Sequence, residues 1–342
     1  MGIFRRPRDV SSPSAPAIAE FWAWWGQTRP SIEATLSDGL STETVEELAR
    51  RVHKIHSGLQ WEIGEEEDTP VLTVTGGGVA ELRGLAERWR RAAPQDDGWA
   101  YHPARQADPE MLRQKLALAD HELDLGYVRL GMRADESRAR VHLTAYHPDF
   151  LFLPQETQLQ VAFHILDWAL GEDDVARWVG DVKITTDPLV DSLPPAMLSA
   201  VIEQIAEPYL EPNWLTGEGR TPRGHPARLG IRFPLHRQDH PLCDLHVAVS
   251  IPYAHSNPDR LPVEPSASAL RKFEKRLTAF GDRAVLAVHE TGDGLRVFHL
   301  YADPESAVLA DLDQLAAGWT EGRAKVASTP DPGWRALAPY QP

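Results

Sequence analysis

A chain of 342 residues is long enough for two domains, and 42% hydrophobic with 25% charged residues is the make-up of an ordinary globular protein. Against 35 Lys and Arg stand 50 Asp and Glu, a formal net charge of -15 that suits the phosphate backbone poorly and argues against nucleic acid as a partner. One cysteine, Cys243, excludes an internal disulfide; no apolar run is long enough to span a bilayer or follows the basic start MGIFRRPRDV as in a signal peptide, so a cytoplasmic protein without a membrane partner is expected.

Residues 1–16, rich in Pro, Ser and Arg, read as a mobile arm. Ile18, Phe21, Trp22 and Trp25 share one helical face and predict a helix over 17–26, its aromatics a core stripe rather than a stacking platform. A second helix is predicted over 43–56, where His53 and His56 share a solvated side. Strands over 59–63 and 71–75 follow, then Gly76-Gly77-Gly78 and a helix bearing Leu82, Ala86 and Trp89. The turn APQDDGW leads to a strand over 99–102. Next come a helix over 109–118, a hairpin of 123–132 and 139–146, a helix over 155–170, a strand over 181–185 and a helix over 195–205. The helix–hairpin–helix–strand order recurs, so 17–206 reads as an N-terminal α+β domain of repeated units.

Residues 207–241 are dense in Pro and Gly and read as a connection holding at most one short strand near 229–233. The C-terminal domain, 242–342, is the most regular. A strand over 245–251 precedes a helix over 266–280 that Gly281 ends. A hairpin of 284–289 and 295–301 turns at Gly292-Asp293-Gly294. Asp303-Pro304 is read as the start of a helix with Val308, Leu312, Leu315 and Trp319 inward, and a strand over 323–328 closes the order. β-α-β-β-α-β is the pattern of a ferredoxin-like sandwich. The last turn, at PDPGWRALAPY, should return Trp334 and Tyr340 to bury their rings.

Several constellations could carry chemistry. His236, His240, Cys243 and His246 are zinc-type donors within a short span, yet Cys243 and His246 are an odd number apart and would point to opposite faces of a strand. A polar loop entering a strand is the preferred reading, and no metal or cofactor is assigned. A Cys243–His pair as a nucleophile yields likewise to a buried strand cysteine. Gly76-Gly77-Gly78 has the N–H groups to cradle phosphate but lacks a Gly-Lys-Ser/Thr ending, so it reads as a chain reversal. Glu172-Asp173-Asp174 reads as a surface turn rather than an acid–base set. The aromatics of VFHLY lack the basic signature of an RNA-binding sheet.

The strand HVAVSIPY, the helix after LPVEPSASAL, the hairpin AVLAVHETGDGLRVFHLYA, the DPES helix start, and the closing Asp331, Pro332 and Trp334 with the later Tyr340 resemble the bacterial domain-of-unknown-function family 695. They are more distantly similar to the regulator of ribonuclease E activity B family, which shares the ferredoxin-like topology. Ala93, Pro94, Gly98 and Trp99, with Leu170, Gly171 and Glu172, are similar to the amino-terminal region of longer proteins in this group. The resemblance supplies no catalytic residue. It implies a non-enzymatic binding or regulatory module with a protein partner. The competing class is a small-molecule-binding or hydrolytic protein with a cleft between its halves, metal-assisted through the 236–246 segment.

Overall fold

The computed structural model describes residues 14–36, 39–95, 98–118, 121–209 and 213–340. The elements begin with α1 (Ala15–Glu33), α2 (Thr42–Ile55), β1 (Gln60–Glu66), β2 (Thr69–Thr75), α3 (Ala80–Arg91) and β3 (Ala100–His102). They continue with β4 (Lys115–Leu118), β5 (His121–Asp124), β6 (Arg129–Asp135), β7 (Arg140–Tyr146), α4 (Gln155–Leu170), α5 (Glu172–Trp178), β8 (Val179–Thr185) and α6 (Leu198–Ala206). The last are β9 (Asn213–Arg220), β10 (Pro226–Phe233), β11 (Leu245–Pro252), α7 (Ser266–Leu277), β12 (Ala284–Gly292), β13 (Leu295–Ala302), α8 (Val308–Ala317) and β14 (Lys325–Pro330). The chain is of mixed α+β class, and among the described residues no helix is long and apolar enough to cross a membrane. Of the arm expected over 1–16, residues 1–13 lie outside the described residues, and Ala15 already belongs to α1.

The chain divides into two compact units. One comprises Met1–Leu59, Ala80–Pro94 and Pro212–Gln341, the other Gln60–Val79 and Gln95–Glu211. The first is built on a six-stranded antiparallel sheet in the order β14-β11-β13-β12-β10-β9. Strict alternation along β11 buries Leu245, Val247, Val249 and Ile251 on one face, where α7 and α8 lay down Leu270, Phe273, Leu277, Val308 and Leu312. Each such side chain stabilises the fold by about 1.5–3 kcal/mol. The opposite face carries Val285, Ala287 and Tyr301, covered by Trp334 and Leu337 of the C-terminal segment. In the same unit α1 and α3 meet through Trp22 and Trp89, whose rings stack at 4.8 Å while the Trp22 indole N–H donates to Trp89 O at 2.9 Å.

Among the described residues the second unit holds three small sheets, β1-β2-β3, β4-β5 and β6-β7-β8. In both three-stranded sheets an antiparallel hairpin is joined by a third strand parallel to its second strand. Val161, Ala162, Ile165, Leu166, Ala169 and Leu170 of α4 are buried.

Several expectations are corrected. Residues 207–241 hold more than the one short strand expected near 229–233: after a 3-10 turn, β9 and β10 pair residue for residue and extend the sheet beyond β12. Their prolines punctuate rather than interrupt, with Pro222 in the turn and Pro226 opening β10, where no ladder N–H is lost. Instead of a helix over 109–118 there is a 3-10 turn, Pro109–Arg113, and then β4. The strand over 123–132 is split by a 3-10 turn, Leu125–Tyr127, that Asp124 caps. Asp303 does not cap a helix; its carboxylate accepts from Glu305 N at 3.0 Å in a turn, and α8 starts at Val308. Glu172 opens α5 rather than a surface turn.

Candidate functional site

Glu172 is buried, 6% exposed, in the second unit. It gets there because Gly171, at φ 80° and ψ 152°, ends α4 and starts α5 in one step. A side chain at Gly171 would suffer both the left-handed backbone and contacts at 3.2 Å with Ala107 N and Arg105 O. The Glu172 carboxylate accepts from the Thr75 hydroxyl, from Gly78 N at 2.8 Å and from Arg105 N at 3.3 Å. Gly77 N donates to Thr75 Oγ1 at 3.1 Å. The N–H groups of Gly77 and Gly78 that could have cradled a phosphate are thus taken by the chain itself. Asp167 lies close by, 3.5 Å from the Arg105 guanidinium, and burial, followed by the charge of Glu172, pushes its carboxyl up to about 6. This cluster ties the Gly76–Gly78 turn, residue 105 and the α4–α5 junction together.

In the first unit the described residues cover the face opposite α7 and α8 only in part. Strand register sets Gly217, Leu229, Glu290 and Val297 in one row across β9, β10, β12 and β13. Gly219 pairs with Ala227, and Gly292 with Leu295, one row nearer the hairpin tips. These residues floor an open groove of about 690 Å³. The floor is low because glycine and alanine alternate with Leu229, Leu295 and Val297. At the groove's inner end Glu290 accepts the Tyr340 hydroxyl. Burial first, and that carboxylate second, raise the Tyr340 phenol well above its ordinary range. The Tyr340 ring leans on His299 at 5.5 Å, and His299 Nδ1 meets His246 Nε2 at 3.0 Å, one imidazole donating to the other. Burial lowers both imidazoles by disfavouring their charged forms.

The C-terminal signature residues form the cover of that face. The Asp331 carboxylate accepts the Tyr301 hydroxyl and the N–H groups of Arg335 at 3.0 Å and Ala336 at 2.9 Å. Pro332 O accepts from Arg237 Nε at 2.7 Å. Trp334, 6% exposed, donates its indole N–H to Cys243 O at 2.7 Å and stacks on Tyr301 at 4.3 Å. The expected burial of Trp334 is seen, whereas Tyr340 is half-buried. In the second unit Gly98 is exposed and Trp99 buried.

The four zinc-type donors go separate ways. His236 is buried at the start of a 3-10 turn, and His240 stacks toward Trp334 at 6.2 Å. The Cys243 thiol points at Asp282 O, 3.8 Å away, with burial raising it to about 12, and His246 pairs with His299. Among the described residues no group of three or more His, Cys, Asp or Glu is arranged to hold a metal ion. Glu290, His299, Arg105 and Asp167 carried no signal in the sequence, because their partners are far along the chain. No family model matches the chain, and no curated protein or solved structure matches it.

Proposed function

We propose that this chain is a non-enzymatic binding module whose partner is a protein, seated on the uncovered sheet face between β9 and β13. The observation that carries this reading is the groove of about 690 Å³, open along its length and floored by Gly217, Gly219, Leu229, Leu295 and Val297. An extended segment fits such a floor, and the charged groups that also line the groove, Glu218, Arg220, Arg223, Arg228, Glu290 and Asp293, can meet its polar groups. The Glu290 carboxylate is engaged by Tyr340, and Asp331, Glu172 and Arg105 direct their hydrogen bonds within the chain. On this reading β11 to β14 form a ferredoxin-like sandwich, a view supported by the strand order β14-β11-β13-β12, and the β9–β10 hairpin is an addition that creates the groove. The DPGW turn and Tyr340, as the clasp of the sheet, suit membership of the domain-of-unknown-function family 695. A lone buried cysteine suits a reducing cytoplasm.

Affinity capture from native extract tests the proposal, with the Leu295→Glu variant alongside the wild type. Leu295 is 37% exposed, so the change leaves the fold intact while charging the floor. One protein recovered reproducibly with the wild type and lost with the variant is expected. No recovery by the wild type, or equal recovery by both, would refute it.

A further inference from the structure

β9 is the outer edge of the six-stranded sheet, and its register with β10 runs unbroken from Asn213 to Arg220. Edge strands are usually blunted by lysine, by an internal proline, by a bulge or by being short. The sequence NWLTGEGR carries charges at Glu218 and Arg220 but no lysine, internal proline or bulge, and it pairs with β10 along its whole length. It exposes Trp214 at 39% and Leu215 at 44%. Such an edge presents a row of backbone donors and acceptors to another strand.

The strand's own sequence says which strand fits. Two copies meeting antiparallel about an axis perpendicular to the sheet must set residues of the same face opposite each other. Centred on Gly217, this places Thr216 opposite Glu218 of the second copy, Leu215 opposite its Gly219 and Trp214 opposite its Arg220, each pair occurring twice. Thr216 can donate to the Glu218 carboxylate, and Arg220, whose guanidinium donates to Gly224 O at 2.8 Å, comes opposite Trp214, whose ring tilts toward His289 at 5.3 Å. Centring on Glu218 would instead set two like carboxylates face to face. Centring on Thr216 would oppose Trp214 with Glu218 and leave Arg220 without a partner residue.

We infer that a second copy of this chain pairs with β9 through the Gly217-centred register, continuing the sheet across the two molecules. The two grooves then open on the same side, and Leu215, Gly217 and Gly219 of each copy prolong the floor of the other. The inference does not depend on the protein-partner reading of the groove.

Light scattering on the full chain after size exclusion tests it with two variants. The wild type should run at twice the mass of one chain. Thr216→Glu sets carboxylates opposite Glu218 of the second copy and should give a monomer; Thr216 is exposed, so the fold is not at stake. Thr216→Glu with Glu218→Lys restores opposite charges in this register and should restore the dimer. A monomeric wild type, a Thr216→Glu dimer as stable as the wild type, or a double variant that stays monomeric would each overturn the inference.

Discussion

Glu172 shows how much one buried carboxylate can organise. Its acceptors are filled from residues 75, 78 and 105, and the Arg105 guanidinium reaches Asp167, Glu62 and Gln60. Replacing Glu172 with Gln leaves the shape but removes the charge-assisted bonds, and should cost the second unit about 3 kcal/mol in a denaturant titration. The same change removes the second-largest push on Asp167, whose carboxyl should then titrate below its present value of about 6 by carboxyl-carbon NMR. An unmoved Asp167 titration would mean that burial alone raises it. Glu172 was visible in the sequence as one of three acidic residues after a helix and as the last residue of the Leu170-Gly171-Glu172 signature. Its burial was not legible, because Thr75 and Arg105 are far away in the chain and no local pattern connects them. Gly171 was the sole local clue, a glycine where one helix must stop and another begin.

At the scale of elements, the C-terminal segment is a clasp rather than a tail. Trp334 sits at φ 55°, a left-handed conformation that a bulky residue adopts only when its surroundings hold it. The Cys243 carbonyl and the Tyr301 ring provide that hold. Trp334→Ala should destabilise the first unit by about 3–5 kcal/mol. It should also uncover Cys243, which is fully buried and, as the chain's single cysteine, gives an unambiguous signal. A thiol reagent should leave native wild type unlabelled and label the variant; equal labelling would contradict the clasp. The order from β11 to β14 was legible because β11 alternates cleanly and Gly292-Asp293-Gly294 marks the β12–β13 hairpin. β10 was legible only as a short strand near 229–233, and β9 was not legible, because a strand containing Gly217 and Gly219 and bounded by prolines has the composition of a loop. Those same glycines lower the groove floor, so the feature that hid the strands is the one that shapes the site.

For the whole molecule, the division of the chain was the least legible feature. α3 belongs to the same unit as the C-terminal sheet, and Arg88 shows why. It is 2.9 Å from Glu305 and 3.1 Å from Asp303, with its side chain 10% exposed. Arg335 adds an ion pair to Glu81. These partners are more than two hundred residues apart, and only folding reveals them. The -15 charge disfavours anionic partners but leaves the apolar part of the groove floor, Leu229, Leu295 and Val297, available to a protein segment. The most direct test is photo-cross-linking inside native cells, with a benzophenone amino acid at Leu295 in the groove or at Val190, which is 97% exposed in the second unit. The groove position should yield a discrete adduct with one other protein, and Val190 should yield none. Absence of an adduct at Leu295, or the same adduct from both positions, would contradict the assignment of the open sheet face as the binding site.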